Sequence, residues 1–383
     1  MIYLDNAATT YPKPDRVIEA MTRMMRELGA NPGRAAHRMA VSAEREITAA
    51  RHLVARFFNL RDPLRVVFTH NCTDALNFAL KGVLEPGDHV VTTDAAHNSV
   101  SRPLEAMADR GLITLTRLPL DAQSLVDPDA VFKALRPKTK LVEITHGSNV
   151  TGAVQPLAEI GLGLRQRCDA LLLVDAAQTA GVLPLDMEAM GIDLLALPGH
   201  KGLFGPPGTG LLLIGERARV KPWREGGTGG DSAARLQPTQ LPFYWESGTP
   251  NTAGIAGLAE GLRFVEETGL EAIQAREKKL MRLLLDGLRD DDRFRLFGPG
   301  DVERQVGVFS FLIRGQDPHQ TGAVLDSAYD IAIRTGLHCA PYIHKSIGSF
   351  AGGGTARISL SYLNTEAEVA RTLEALREIA AQG

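Results

Sequence analysis

Lys201 lies in IDLLALPGHKGLFGPPGTGLLLI, a single lysine held by glycines between two apolar runs, with His200 beside it. Burial disfavours an ammonium and lowers its pKa, so a lysine enclosed by strands becomes nucleophilic near neutral pH. Taken alone, the segment reads equally well as a surface lysine in a hairpin turn. Upstream, LLLVDAAQTAG ends an apolar strand on Asp175 and places Gln178 in the same turn. A carboxylate at a strand end and a desolvated amine in a later loop form a chemical pair. One can keep a ring nitrogen protonated, and the other can condense with an aldehyde. The bland alternative for Asp175 is a helix N-cap.

That pair is what pyridoxal 5'-phosphate requires, and other segments can be read against it. THNCTDALNFALKG has a loop-then-helix form with Thr73 near the helix start, where free N–H groups and the helix dipole suit a phosphate. Thr73 reads equally as an ordinary N-cap. His97, in TTDAAHNSV, could stack on a cofactor ring and relay protons, although a lone loop histidine is more often solvated. RTGLHCAPYIHKSIGS sets Cys339 among Arg334, His338, His344 and Lys345. Basic neighbours favour a thiolate, the nucleophilic form, while a half-buried small hydrophobe is the commoner state of a free cysteine. His338, Cys339 and His344 offer metal-ligand types without a fourth ligand, and no metal is expected. Arg357, in GTARISLSY, begins a late strand and could grip a carboxylate. The glycine clusters Gly226–Gly230 and Gly352–Gly354 are weak signals, and neither a Walker loop nor a GxGxxG fingerprint is present.

The elements that must position these residues are short β-rich runs alternating with helical patterns. Strands are expected at Arg65–His70, His89–Asp94, Lys140–His146, Leu171–Asp175, Asp193–Leu197 and Gly210–Ile214, with helices at Thr73–Lys81, Ser101–Arg110 and Ala158–Arg167. Nearly continuous apolar strands alternating with helices predict an α/β fold, a mostly parallel sheet covered on both faces. Ligands then sit beyond the carboxyl ends of the strands, where Asp94, His146 and Asp175 fall. From about residue 260 onward the pattern reads as a smaller α+β unit. It has long amphipathic helices over Ala256–Arg289 broken near Gly269, a strand at Val306–Ile313, and a capping box at Thr365 and Glu368. The division expected is 15–258 as a large domain and 1–14 plus 259–383 as a small one, with Pro12 and Pro14 marking the boundary.

The chain of 383 residues is long enough for two such units, and its net charge of -3 gives no reason to expect nucleic acid or an anionic membrane as partner. The three cysteines, Cys72, Cys168 and Cys339, form no CxxC pair, which argues against a structural zinc or disulfide scaffold. Cys72 and Cys168 read as structural. No secretory leader pattern or bilayer-length apolar run is evident, so a cytoplasmic protein is expected.

Taken together, YLDNAATT, HGSNVTGAVQPL, LLLVDAAQTAG, GHKGLFGPPGTG, ESGTPN, RTGLHCAP and ARISLSYLNT resemble the class V group of fold-type I pyridoxal-phosphate enzymes, and within it the cysteine desulfurases. The resemblance covers nearly the whole chain. It implies a seven-stranded, mostly parallel sheet between helices, pyridoxal 5'-phosphate as cofactor, and conversion of L-cysteine to L-alanine with sulfur left as a persulfide on Cys339 for an acceptor protein. It implies that Lys201 binds the cofactor aldehyde, Asp175 the pyridine nitrogen, and Gln178 and Asn149 the phenolic oxygen. His97 would stack on the ring and serve catalysis, and Thr73, the backbone at Cys72, and His200 would hold the phosphate. Asn149 and Arg357 would bind the substrate carboxylate. Thr249 would contact the phosphate of a second subunit, which implies a homodimer with shared sites. Selenocysteine lyase and another class V aminotransferase-type reaction are the alternative activities. Two positions depart from the family pattern: Pro198 replaces a usual Ser or Thr, and Asp74 replaces a usual Glu.

Overall fold

The computed structural model describes residues 1–33, 37–229 and 233–382; Gly230 of the first glycine cluster lies outside them. In chain order the elements are β1 (Ile2–Tyr3), α1 (Asp15–Glu27), α2 (Arg38–Phe57), β2 (Val66–Thr69), α3 (Cys72–Val83), β3 (Asp88–Thr93), α4 (Asn98–Asp109), β4 (Ile113–Leu118), α5 (Pro128–Lys133), β5 (Thr139–Thr145), α6 (Leu157–Arg167), β6 (Leu171–Asp175), β7 (Leu194–Pro198) and β8 (Gly210–Ile214). Then follow α7 (Thr252–Thr268), α8 (Leu270–Leu288), β9 (Phe294–Phe297), β10 (Val308–Ile313), α9 (Pro318–Tyr329), β11 (Ile331–Ala332), β12 (Arg334–Gly336), α10 (Pro341–Ser346), β13 (Thr355–Ser359) and α11 (Glu366–Ala380).

Seven strands form the large sheet in the order β2-β8-β7-β6-β5-β3-β4. All neighbours run parallel except β8, which is antiparallel to both β2 and β7. Every residue of β6, β7 and β8 is buried, which accounts for their unbroken apolar runs. Side chains alternate between two cores. Leu172, Val174, Leu195 and Leu197 pack with α2, α6 and α7 on one face, and Leu171, Leu173, Leu194 and Ala196 pack with α3 and α4 on the other. Each such Leu or Val contributes about 1.5–3 kcal/mol on leaving water. The six strands expected from the residues are present. The seventh, β4, is a partly exposed edge strand whose ITLTRL pattern lacks that unbroken apolarity.

Four antiparallel strands make the second sheet, in the order β12-β13-β10-β9. Its apolar side joins Leu280 and Leu284 of α8, Leu325 of α9 and Leu376 of α11. The N-terminal residues belong to the same cluster: β1 pairs with β11, Leu4 is fully buried there, and the Ser359 N–H donates to the Leu4 carbonyl at 2.7 Å. The expected helical break falls at Gly269, whose φ of 81° ends α7. Thr365 and Glu368 form the expected capping box of α11. Arg357 is the middle residue of β13 rather than its first, which buries it between β12 and β10.

Candidate active site

Loops beyond the carboxyl ends of β5, β6 and β7 and the start of α3 enclose a cleft of about 200 Å³. Nine of the residues singled out from sequence line it: Cys72, Thr73, His97, Asn149, Asp175, Gln178, His200, Lys201 and Arg357. Of the three strand-end side chains, only Asp175 faces the cleft. His146 turns to the Thr179 hydroxyl at 3.0 Å, and Asp94 accepts from Ser346 at 2.7 Å.

Backbone contact brings Lys201 to Asp175. A Cβ on Gly202 would strike the Ala180 carbonyl, so only glycine lets the β7–β8 loop lie against the turn after β6. The hairpin reading of this segment is therefore right in topology, since β7 and β8 are antiparallel, but the lysine points inward. Burial lowers the Lys201 pKa, opposed by the Asp175 carboxylate. Asp175 is itself buried, which pushes its carboxyl up, while the Ala177 N–H at 2.9 Å and Lys201 oppose the shift. The Cys72 thiol also reaches Asp175, at 3.7 Å, and burial raises its pKa well above the usual value, so it remains a neutral donor.

At the start of α3 the N-cap is Asn71, whose Oδ1 accepts from the Asp74 N–H at 2.9 Å, and not Thr73. The N–H groups of Cys72 and Thr73 have no acceptor among the described residues and lie at the cleft. A Cβ on Gly210 would collide with the Asn71 backbone, which is how β8 can abut this helix start. His200 has a buried Nδ1 with no partner. Its pKa falls to about 4, through burial first and then Lys201 and Lys13. Two unpaired N–H groups at a helix start, the Thr73 hydroxyl and an unpartnered imidazole nitrogen together form an anion cradle. Pro198 also lines the cleft and donates nothing to it.

His97 caps α4. Its Nδ1 accepts from the Ser99 N–H at 3.1 Å, which leaves the ring proton on Nε2. Burial, followed by Lys201 and Arg334, lowers its pKa to about 4, so the ring is neutral. Gln178 donates to the Ala7 carbonyl at 3.1 Å. Asn149 is buried, with Nδ2 donating to the His338 carbonyl at 2.7 Å and Oδ1 unpartnered. Arg357 is 1% exposed. Its Nη1 donates to the Asn149 carbonyl at 2.9 Å and its Nη2 to Asp5 at 2.6 Å, and the buried Nε has no partner among the described residues. The guanidinium expected to grip a carboxylate thus already holds two partners inside the protein.

Two of the named residues stand outside the lining. Thr249 is exposed and borders a separate cavity with Arg224, Ser247 and His70. Cys339 is exposed, and its Sγ lies 3.6 Å from Nη2 of Arg334, which does line the cleft. Of its four basic neighbours, only Arg334 reaches the thiol. His338 and His344 are buried and neutral, lowered to about 2 and about 4 chiefly by burial, and Lys345 lies over the rings of Tyr342 and Phe350. Arg334 as a wall of the cleft went unrecognised. The signal available was its cross-strand position opposite Arg357, which needs the β12–β13 register. Thr145 and Ser99 also line the cleft without having been singled out.

The model of the class-V aminotransferase family matches residues 2–372, and the chain belongs to that family. It is 36% identical to a probable cysteine desulfurase of Methanothermobacter thermautotrophicus, over 100% of this chain and 95% of that protein. It is 32% identical to a cysteine desulfurase of Klebsiella pneumoniae, over 99% of this chain and 93% of that one. Among solved structures, the apo cysteine desulfurase of Thermococcus onnurineus superimposes with a TM-score of 0.94 at 33% identity, covering 100% of this chain and 95% of that chain.

Proposed function

We propose that this protein is a pyridoxal 5'-phosphate-dependent cysteine desulfurase that releases L-alanine from L-cysteine and keeps the sulfur as a persulfide on Cys339. The carrying observation is spatial. A buried carboxyl, an amine of lowered pKa and an anion cradle share one cleft, and a single exposed thiol is tied by Arg334 to its rim. The anion cradle of Cys72, Thr73 and His200 would hold the phosphate, Lys201 the aldehyde carbon, Asp175 the ring nitrogen, Gln178 and Asn149 the phenolic oxygen, and His97 the ring face. The cofactor, once bound, supplies an electron sink for negative charge developing at the substrate Cα.

The remaining work falls to side chains. Lys201 Nζ, uncharged when released, removes the Cα proton. The unpaired Nε of Arg357, with Arg334 and Asn149, orients the substrate carboxylate. Cys339 attacks the substrate sulfur: an S–S bond forms, the Cβ–S bond breaks, its electron pair stays with carbon, and protonation there gives alanine. Neutral His97, which lines the cleft, would pass that proton.

In the same reading, residues 15–258 form a large cofactor-binding domain and 1–14 plus 259–383 a small one. Thr249 serves the site of a second subunit, so the working form is a homodimer. A cytoplasmic location and a sulfur-acceptor protein complete the proposal; no helix among the described residues is long and apolar enough to cross a membrane. The test follows alanine, sulfide, selenide and keto acid from purified protein given L-cysteine, selenocysteine or L-alanine separately. Cys339→Ala should abolish the persulfide while preserving the visible absorbance. Full sulfur release without Cys339 would reject the assignment, and product formed only from selenocysteine or by amino-group transfer would favour the alternative activities.

A further inference from the structure

Cys339 lies in the turn between β12 and α10. His338 and Cys339 both adopt left-handed backbone, with φ of 46° and 58°, which L-residues other than glycine disfavour. Such a turn persists only where it is held from both sides. Upstream it is held by the small sheet and its approach to the cleft: His338 Nε2 meets the Thr355 carbonyl at 3.1 Å, and Asn149 Nδ2 donates to the His338 carbonyl at 2.7 Å. Downstream, Arg295 Nη2 of β9 donates to the Ile347 carbonyl at the end of α10 at 2.9 Å, while Tyr342 of α10 turns the other way, to α4 and β4.

We propose that Tyr342, Glu105 and Arg117 form a clamp that positions Cys339 for sulfur transfer, an inference that rests on the function proposed above. The Tyr342 hydroxyl and Arg117 Nη2 both donate to Glu105 Oε1, each at 2.8 Å. The Arg117 guanidinium also covers the Tyr342 ring, 3.7 Å from its centroid. Arg117 Nη1 in turn donates to the Thr93 carbonyl at 3.0 Å, which fastens the cluster to the end of β3. Glu105 sits on α4, the helix that His97 caps, so one helix carries both the cleft imidazole and the anchor of the thiol segment. Two lesser ties act in the same sense: Ser346 to Asp94 at 2.7 Å, and the Asn98 N–H to the Cys339 carbonyl at 2.8 Å. Beneath them Ala340 and Ile343 pack on Val150, beside Asn149.

The cluster also keeps its own charges. Burial alone would raise the Glu105 carboxyl, but Arg117 and Tyr342 hold it below the usual range. Glu105 raises the Tyr342 phenol, so the donor keeps its proton. None of the three residues lines the cleft. They act through the position of Cys339 and are positioning residues, not catalytic ones. Loosening the clamp should leave cofactor and substrate binding intact while lowering the fraction of time the thiol spends in line with the substrate sulfur.

The experiment uses the holoenzyme in single turnover with L-cysteine, following the substrate-induced absorbance change and the persulfide on Cys339 by mass spectrometry. Tyr342→Leu should slow persulfide formation by about tenfold, with the absorbance change keeping its dependence on substrate concentration. Tyr342→Phe, which keeps the ring under Arg117, should lose about two- to threefold. Hydrogen exchange over residues 337–346 should quicken in Tyr342→Leu and stay slow in Tyr342→Phe. A wild-type persulfide rate in Tyr342→Leu, or an equal loss in absorbance change and persulfide, overturns the clamp. If wild-type protein forms no persulfide at Cys339, the functional reading fails instead; exchange over 337–346 then still decides, and unchanged exchange in Tyr342→Leu overturns the clamp.

Discussion

The floor and the rim of the cleft are built by opposite means. The floor stands on the ends of β5, β6 and β7, where Asp175 is enclosed and Lys201, His97 and His200 have pKa values lowered chiefly by burial. The rim is a turn in left-handed backbone, with Cys339 in solvent and the Arg334 guanidinium beside it. Burial tunes the floor, because a group cut off from water has its protonation set by a few fixed neighbours. Under the proposed function the rim must remain open, since a thiol that is to receive sulfur from a small molecule and pass it on needs access from both sides. It therefore depends on hydrogen bonds that fix its position.

The sharpest way to break this contrast is at the floor. Lys201→Ala should remove the borohydride-trappable adduct on residue 201 and lower kcat/KM by more than about 10³-fold. Reduction followed by peptide mapping reads the first effect, and alanine release the second. An adduct trapped on another lysine would dismantle the floor as described. Asp175→Asn should come next, at about 10²-fold in kcat, with the cofactor retained but its visible absorbance shifted. An unchanged spectrum and rate would mean that the buried carboxyl does not meet the ring nitrogen.

The floor was far more legible in the sequence than the rim, and for physical reasons. LLLVD and DLLAL are continuous apolar strands whose ends must open into loops, so Asp175 and Lys201 could be placed near one another from pattern alone. Closely packed glycines made the approach tight, which a sequence shows only as a surplus of glycine. At the rim, proximity in sequence misled: four basic residues flank Cys339, yet two are buried neutral histidines and one packs on aromatic rings. Arg334 emerges as the partner only through the antiparallel register of β12 with β13, a long-range fact. Thr73 and Asn71 compete for the start of α3 on equal chemical terms, and the choice of Asn71 depends on where the helix first closes its hydrogen bonds. The edge strand β4 escaped notice because half-exposed threonine and arginine carry no continuous apolar signal.

Acid and base limits of stability can sharpen the comparison, because both regions carry lowered imidazoles but a raised, buried carboxyl lies beneath the floor. Glu143 lies beneath the floor on β5, fully buried, accepting from Thr92 at 2.5 Å and Thr145 at 3.1 Å. Burial raises its carboxyl to about 7 despite those hydroxyls. The folded protein then holds a proton that the unfolded chain releases near the ordinary value of 4.5, so this residue's stabilising share declines as pH rises from about 4.5 to about 7 and is constant above. Glu143→Gln should flatten that decline, by up to about 3 kcal/mol at pH 8 relative to pH 4.5, read from denaturant midpoints of the apoprotein. A parallel shift at all pH values would show that Glu143 is ionised in the folded state.

At the rim the sign reverses and the expected effect is smaller. His344 is buried with Nδ1 against the Ser349 hydroxyl at 2.7 Å, and its pKa is lowered to about 4, chiefly by burial. The unfolded chain takes a proton near 6.5 and the folded one does not, so stability is full above about 6.5 and is lost as pH falls toward 4. Cleft histidines His97 and His200 share this acid limb, so one substitution removes only its own part. His344→Gln should reduce the loss between pH 6.5 and 5 by about 1–2 kcal/mol, whatever it costs at neutral pH through the Ser349 contact. Because α10 follows Cys339 directly, the variant separates a rim that needs His344 for its fold from one that needs it for its geometry. Equal acid sensitivity in wild type and variant would place the acid limb wholly on the floor, and the rim's order would then rest on its hydrogen bonds alone.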